Sequence, residues 1–197
     1  MTDILILYYS NNGATAALAR EIARGVDAVD GMSARLRTVP PVSGVTEATA
    51  EPVPESGPPF ATGADLEECA GIIIGSPSNF GNMAAPLKYF LDNTLGEWLR
   101  GTLAGKPFGT FASTGSLHGG QETTLLSMGI PLLHHGMIFV GVPYTEPALS
   151  RTTSGGTPYG PTHVTWNRDD DALSDDEKEL ARALGKRVAG IAQRLLD

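Results

Sequence analysis

Apolar residues along this chain fall into two rhythms. Residues 4–7, 71–75, 108–113 and 137–142 form short runs rich in Ile, Leu, Val and Phe. Runs of that length predict strands, and the Ile72-Ile73-Ile74 run predicts one buried on both faces. Residues 32–39 alternate weakly and carry Arg35 and Arg37, which predicts an edge strand. Between these runs the spacing turns helical. Leu18, Ile22, Val26 and Val29 line one stripe, with Arg20, Glu21 and Arg24 between them, and Gly31 ends that helix. Leu87, Phe90 and Leu91 mark another, with Pro86 near its first turn, and residues 121–135 a third, weakened by Gly129 and Pro131. Residues 64–70 read as a short acidic helix. Ser174 and Glu177 form a capping box before Leu180, Leu184, Val188, Ile191 and Leu195. Five strands alternating with helices predict an α/β fold with a doubly wound parallel sheet and a ligand crevice at the C-terminal strand ends.

Three of the strands discharge directly into polar loops that contain glycine. The first loop is Ser10, Asn11, Asn12, Gly13, Ala14 and Thr15; the second spans 76–82 and includes Ser78, Asn79 and Phe80; the third runs Ser113, Thr114, Gly115, Ser116, Leu117, His118 to Gly119-Gly120. A strand, a tight loop and a helix N-terminus aim free N–H groups and the positive end of a helix dipole at one point, which suits a phosphate. The first loop has no Lys or Arg. Neutral donors alone suit a monophosphate that stays bound better than a triphosphate clamped with a metal. In a doubly wound sheet the three loops gather at one edge, where the second and third would flank a flat polar ring, with Phe80 or Trp98 for apolar contact. Phosphate at one end and a heteroaromatic ring at the other describes flavin mononucleotide (FMN). Taken alone, the first loop is also an ordinary capped helix start, since N-caps favour the same residues. No G-x-x-x-x-G-K-[ST] and no G-x-G-x-x-G after a strand competes with it.

Charge and composition narrow the classes. The 197 residues carry 14 Lys and Arg against 22 Asp and Glu, a formal charge of −8, which argues against nucleic acid or an anionic membrane as partner. The length predicts one domain, residues 1–197, with the Pro-rich stretch 40–63 as a surface insertion. Cys69 is the sole cysteine, no Cys/His cluster has zinc spacing, and residues 167–171 read as a solvated acidic run rather than a metal site. Neither a leader pattern follows Met1 nor does an apolar run reach membrane-spanning length, so a soluble, cytoplasmic protein is expected. Ser113 lacks a nucleophile-elbow pattern and a paired acid and base, which removes acyl transfer.

Several motifs in order carry a resemblance: Y-Y-S at 8–10, Gly13, F-G-N-M at 80–83, S-T-G at 113–115, G-G-Q-E at 119–122, H-H-G-M at 134–137 and G-G-T-P-Y-G at 155–160. In these the chain resembles, nearly end to end, the WrbA family of flavodoxin-like NAD(P)H:quinone oxidoreductases. The resemblance implies a flavodoxin-like five-stranded sheet of order 2-1-3-4-5 with helices on both faces, FMN, and two-electron ping-pong transfer from NADH or NADPH to a quinone. It also implies a homotetramer with active sites near subunit contacts. Its FMN loops fall on residues 10–15, 78–80 and 113–118, its flavin-contacting histidine on His134, and its substrate-side aromatic on Trp98. Tyr159 is a secondary candidate. The family usually has Tyr where this chain has Asn12 and Arg where it has Asn79, and residues 116–118 make the third loop one residue longer. Thr15 and the acidic surface also fit a flavodoxin-type FMN electron carrier that serves a protein partner.

Overall fold

The computed structural model describes residues 2–42, 54, 57–166 and 172–196. Most of the stretch 40–63 and the acidic run 167–171 lie outside the described residues. Among the described residues there are seven strands: β1 (Thr2–Tyr8), β2 (Met32–Thr38), β3 (Gly71–Asn79), β4 (Asn82–Met83), β5 (Pro107–Thr114), β6 (Ile138–Phe139) and β7 (Thr162–Val164). The helices are α1 (Ala14–Asp27), α2 (Gly63–Glu68), α3 (Ala85–Asp92), α4 (Leu95–Arg100), α5 (Gln121–His134), α6 (Ala148–Arg151) and α7 (Asp175–Leu196).

The sheet runs β2-β1-β3-β5-β6, parallel throughout, with β4 folded back antiparallel on β3 and β7 pairing with β5. With the hairpin strand β4 set aside, this is the expected 2-1-3-4-5 order of a flavodoxin-like fold. Alternation along the strands divides the core in two. Ile4, Ile6, Tyr8, Ile73 and Phe111 pack under α1 and α7 with Leu18, Ile22, Leu180 and Leu184. Leu5, Leu7, Ile72, Ile74 and Phe108 pack on the other face with Leu87 of α3 and Leu125, Met128 and Leu132 of α5. The arginines of the edge strand are paired: Arg35 meets Asp3 of β1 and Glu68 of α2, and the Arg37 Nε–H donates to Asp65 Oδ1 at 2.9 Å.

Two expectations change: residues 76–79, expected as loop, extend β3 and, at Ser78 and Asn79, pair with β4 in a hairpin, and the fifth strand is divided. Residues 137–142 were expected as one strand, but the fifth position of the sheet is split in two. β6 pairs with Pro107 and Phe108, the chain leaves, and β7 returns to pair with Ala112, Ser113 and Thr114. The G-G-T-P-Y-G loop makes this possible because its glycines pass against backbone. A Cβ on Gly160 would lie 2.0 Å from the Thr110 carbonyl oxygen, and one on Gly155 2.0 Å from that of Thr162.

Helices α1 and α7 cross at glycines as well. A Cβ on Gly25 would sit 2.1 Å from the Arg182 carbonyl oxygen, whereas one on Gly190 of α7 meets nothing within 4 Å. Gly25→Ala is therefore expected to destabilise the fold by about 1–3 kcal/mol through overpacking. Gly190→Ala should stabilise it by about 0.5–1 kcal/mol by restricting the unfolded chain. Chemical denaturation of the two variants beside the parent checks both signs.

Candidate functional site

A cleft of about 220 Å³ opens at the C-terminal ends of β1, β3 and β5. Ser10, Asn11, Asn12, Ala14, Thr15, Pro77, Ser78, Asn79, Ser113, Thr114, Gly115 and Thr165 line it, so no charged side chain does. A larger cavity, about 740 Å³, lies between the outer faces of α1 and α7, away from the strand ends.

The first wall is the start of α1. Gly13 stands at the N-cap with φ +89°, a left-handed conformation that turns the chain from β1 into the helix, and as a glycine it offers no side-chain cap of its own. The Ala17 N–H donates to the Gly13 carbonyl at 2.8 Å and the Ala16 N–H to Ser10 Oγ at 3.4 Å. The amides of Ala14 and Thr15 find no acceptor among the described residues. Such an end presents N–H donors and a positive dipole to whatever occupies the cleft. At the floor, Thr15 Oγ1 and Ser113 Oγ share a buried hydrogen bond of 2.9 Å. This bond ties the first loop to β5.

The other two loops are laced together. Ser78 Oγ donates to the Gly119 carbonyl at 3.0 Å and accepts from Thr124 Oγ1 at 2.9 Å. Gly120 packs so closely on the β3–β4 hairpin that a Cβ there would lie 2.7 Å from Gly81 Cα. In the third loop, Thr114 Oγ1 donates to the Ser116 carbonyl at 2.9 Å and Gln121 Nε2 to the Leu117 carbonyl at 2.8 Å. The hairpin closes with Phe80 and Gly81 at φ +55° and +76°, a two-residue turn that usually takes Asn-Gly. Phe80 therefore holds a left-handed backbone at a cost of about 1–2 kcal/mol, with its ring fully exposed next to Asn79 at the rim. Strain of this kind is kept where a side chain must be displayed.

Ten of the sequence-predicted residues thus meet in one cleft. Gly13 is the turn behind it and Phe80 the tip beside it, while Ser116, Leu117 and His118 form a self-bonded turn outside its lining. Trp98 and His134 are not brought to this cleft. α5 begins at the cleft, on the third loop, and runs back to the start of β6, so its last residue must lie at the opposite edge of the sheet. There the Trp98 Nε1–H donates to the His134 carbonyl at 2.8 Å, close to where the Gly105 N–H meets the Gly136 carbonyl. Ser113 lies six residues along the strand from Pro107, so about 20 Å separates that edge from the cleft. The His134 imidazole is exposed. Its neighbour His135 is half-buried against Thr94 Oγ1 at 3.0 Å, and burial pushes its pKa down although Glu97 acts the other way. Tyr159 lies on the excursion over the middle of β5, where its carbonyl faces Thr110.

Pro77, inside the second loop, and Thr165, outside all three loops, also line the cleft. Thr165 follows β7, and its N–H donates to the Thr114 carbonyl at 2.9 Å; the β-branched residues Thr162, Val164 and Thr165 are its signal in the sequence. Glu177 is more than half of a capping box. The box forms, with the Ser174 N–H donating to Glu177 Oε2 at 2.8 Å and the Glu177 N–H to Ser174 Oγ at 3.2 Å. The carboxylate does more: it is 1% exposed and accepts from His163 Nδ1 (2.8 Å), the Gly155 N–H (2.9 Å), Ser154 Oγ (3.0 Å) and the Val164 N–H (3.3 Å). Burial alone would raise its pKa, but the hydrogen bonds and the charge of His163 win and lower it to about 2.

Residues 2–145 match the family described as NADPH-dependent FMN reductase. The chain belongs to that family. This FMN reductase family member is 43% identical over 200 residues to a protein of Solidesulfovibrio magneticus (strain ATCC 700980 / DSM 13731 / RS-1) named NAD(P)H dehydrogenase (quinone), with 98% of both chains covered. In fold it is similar to a flavodoxin, WrbA-like protein from Agrobacterium tumefaciens (TM-score 0.70, 23% identity, 98% of this chain and 99% of that one). A flavodoxin 1 from Bacillus cereus aligns at TM-score 0.60 and 14% identity over 96% and 98% of the two chains.

The lowered pKa of Glu177 gives a stability prediction. A carboxylate whose pKa falls from 4.5 to about 2 on folding contributes stability above pH 4.5 that is lost as pH falls towards 2, about 3 kcal/mol in all. Urea denaturation between pH 5 and pH 2.5 should show a steeper loss for the parent than for Glu177→Gln, which cannot titrate.

Proposed function

We propose that this chain is an FMN-dependent NAD(P)H:quinone oxidoreductase of the WrbA type, acting in the cytoplasm as a homotetramer. The observation that carries this reading is the cleft itself: a helix N-terminus whose first two amides are without an acceptor among the described residues and two interlocked loops, all with neutral donors. The donor set fits FMN. Free amides at Ala14 and Thr15 and the hydroxyls of Ser10 and Thr15 would hold a phosphate without a counter-cation. Ser113, Thr114 and Ser78 would follow the polyol, and Asn79 and the Gly115 backbone would meet the ring edges. When bound, FMN would supply the hydride chemistry between nicotinamide and quinone. The chain's own residues bind and orient, and Phe80 offers an exposed aromatic face at the cleft mouth. The 43% identity to a protein named NAD(P)H dehydrogenase (quinone) supports the same reaction class.

Trp98 and His134 enter this reading only through a second copy. Because they lie about 20 Å from their own cleft, they can reach a bound ring only across a subunit contact. The surface around them favours one. Leu126, Ile130 and Leu133 on the outer face of α5 are 44%, 58% and 55% exposed, and Leu95, Leu99, Tyr89 and Ile138 lie exposed nearby. Exposed apolar residues repeating along one helix face favour an interface.

FMN titration followed by the visible spectrum tests the site. Thr15→Val with Ser10→Ala should weaken FMN affinity at least about tenfold, by loss of hydrogen bonds to a charged group, with unchanged far-UV circular dichroism. NADH- or NADPH-dependent benzoquinone reduction tests the activity, and an FMN-loaded protein inert with both reductants would favour the electron-carrier reading instead. For the assembly, Leu126→Glu with Ile130→Glu should give monomers in sedimentation velocity that still bind FMN but turn over at least about tenfold slower, the cost of losing the substrate-side groups.

A further inference from the structure

His163 is a buried histidine on the strand next to the cleft floor, unlike the exposed His118 of the third loop, and no binding role above uses it. It lies on β7 in direct register with Ser113 of β5. Register partners on adjacent parallel strands put their side chains on the same face, about 5 Å apart, so the imidazole lies beside the Ser113 hydroxyl that meets Thr15 at the cleft floor. The ring is 4% exposed. Its Nδ1 is committed to Glu177, and its Nε2 is buried with no hydrogen-bond partner among the described residues.

The two protonation states of this pair differ in a way that matters to an anion next door. With a neutral imidazole, the pair carries the full negative charge of Glu177. With an imidazolium it is neutral, but a charged Nε2–H donor is then buried without an acceptor, which costs free energy. A phosphate adds up to two negative charges at the cleft, and the protonated pair, being neutral, spares them a third negative charge alongside. Charged groups on the N-terminal half of α7 and on α1, the helices packed around His163, pair with one another, while Asp27, Lys186, Arg187 and Arg194 lie towards the far ends of those helices. On α1, Glu21 meets Arg24 and Arg182, and Arg20 acts on the Tyr8 phenol. On α7, Asp175 meets Lys178, while Asp176 and Glu179 meet Arg151. β5 contributes no ionisable side chain.

Resting on the FMN reading, we propose that His163 is a positioning residue for charge: phosphate binding in the cleft draws one proton onto its imidazole, so cofactor affinity rises as pH falls. Linkage then requires proton uptake on binding, and a Kd that weakens by up to about tenfold per pH unit where the free protein's imidazole is neutral. Above pH 7 the phosphate's own second ionisation is nearly complete, so the slope there reports the protein.

The experiment is isothermal titration calorimetry of the apoprotein with FMN at pH 7.0, 7.75 and 8.5, in buffers of different ionisation enthalpy, repeated with riboflavin and with His163→Gln. The expected result is proton uptake with FMN, none with riboflavin, and none in the variant. In the unmutated protein, nitrogen NMR of the imidazole should move towards the imidazolium position when FMN is added, which keeps the test independent of how well the variant folds. Equal uptake with riboflavin, uptake that survives in His163→Gln, or an imidazole whose protonation is the same before and after FMN would each overturn the proposal while leaving the FMN reading intact. Absence of FMN binding would overturn both.

Discussion

The buried carboxylate of Glu177 is the contact on which the split edge of the sheet depends. It gathers the N-terminus of α7, the excursion at Ser154 and Gly155, and His163 and Val164 of β7 on one pair of oxygens. An ionised group 1% exposed is tolerable only because every direction is met by a donor. It acts with the three ladder partners on β5 and the bond from Thr162 to Gln121 to bring the chain back after β6. Thr165, the fourth side of the cleft, is held in place by that return.

The central sheet was legible because each of its strands announces itself. Ile72, Ile73 and Ile74 can only be a strand buried on both faces, and Arg35 and Arg37 mark an edge that the structure pairs with Asp3, Asp65 and Glu68. The cleft was legible for the same reason, since polar glycine loops straight after such strands must meet at their C-terminal ends. β7 was not legible. Three residues between a glycine-rich loop and an acidic run carry no periodicity, and their place is set by glycines that let backbone approach backbone, a tertiary fact. Glu177 showed its local role as a cap but not its long-range one, because nothing in a capping box says what packs over it.

Trp98 and His134 illustrate a different limit. A resemblance transfers residue roles in sequence order, but proximity in a fold depends on which end of each element a residue occupies. α5 carries residues from the cleft edge to the far edge in 14 residues, about 20 Å at 1.5 Å per residue. A role near the ring for the last residue of that helix is therefore a statement about assembly before it is a statement about chemistry.

That division follows from how α5 itself is built. Its inward face, with Leu125, Met128 and Leu132, seals the core beneath β5, and its first residue, Gln121, holds the third loop and accepts from Thr162 of β7. Its outward face carries Leu126, Ile130 and Leu133 to solvent. One helix thus fixes the cofactor-sized cleft at its N-terminus and presents apolar surface along its length. Packing a second copy there would bury that surface without touching the hydrogen bonds that shape the cleft. Binding and assembly can then vary separately in this fold, with the first set by loops and the second by a helix face.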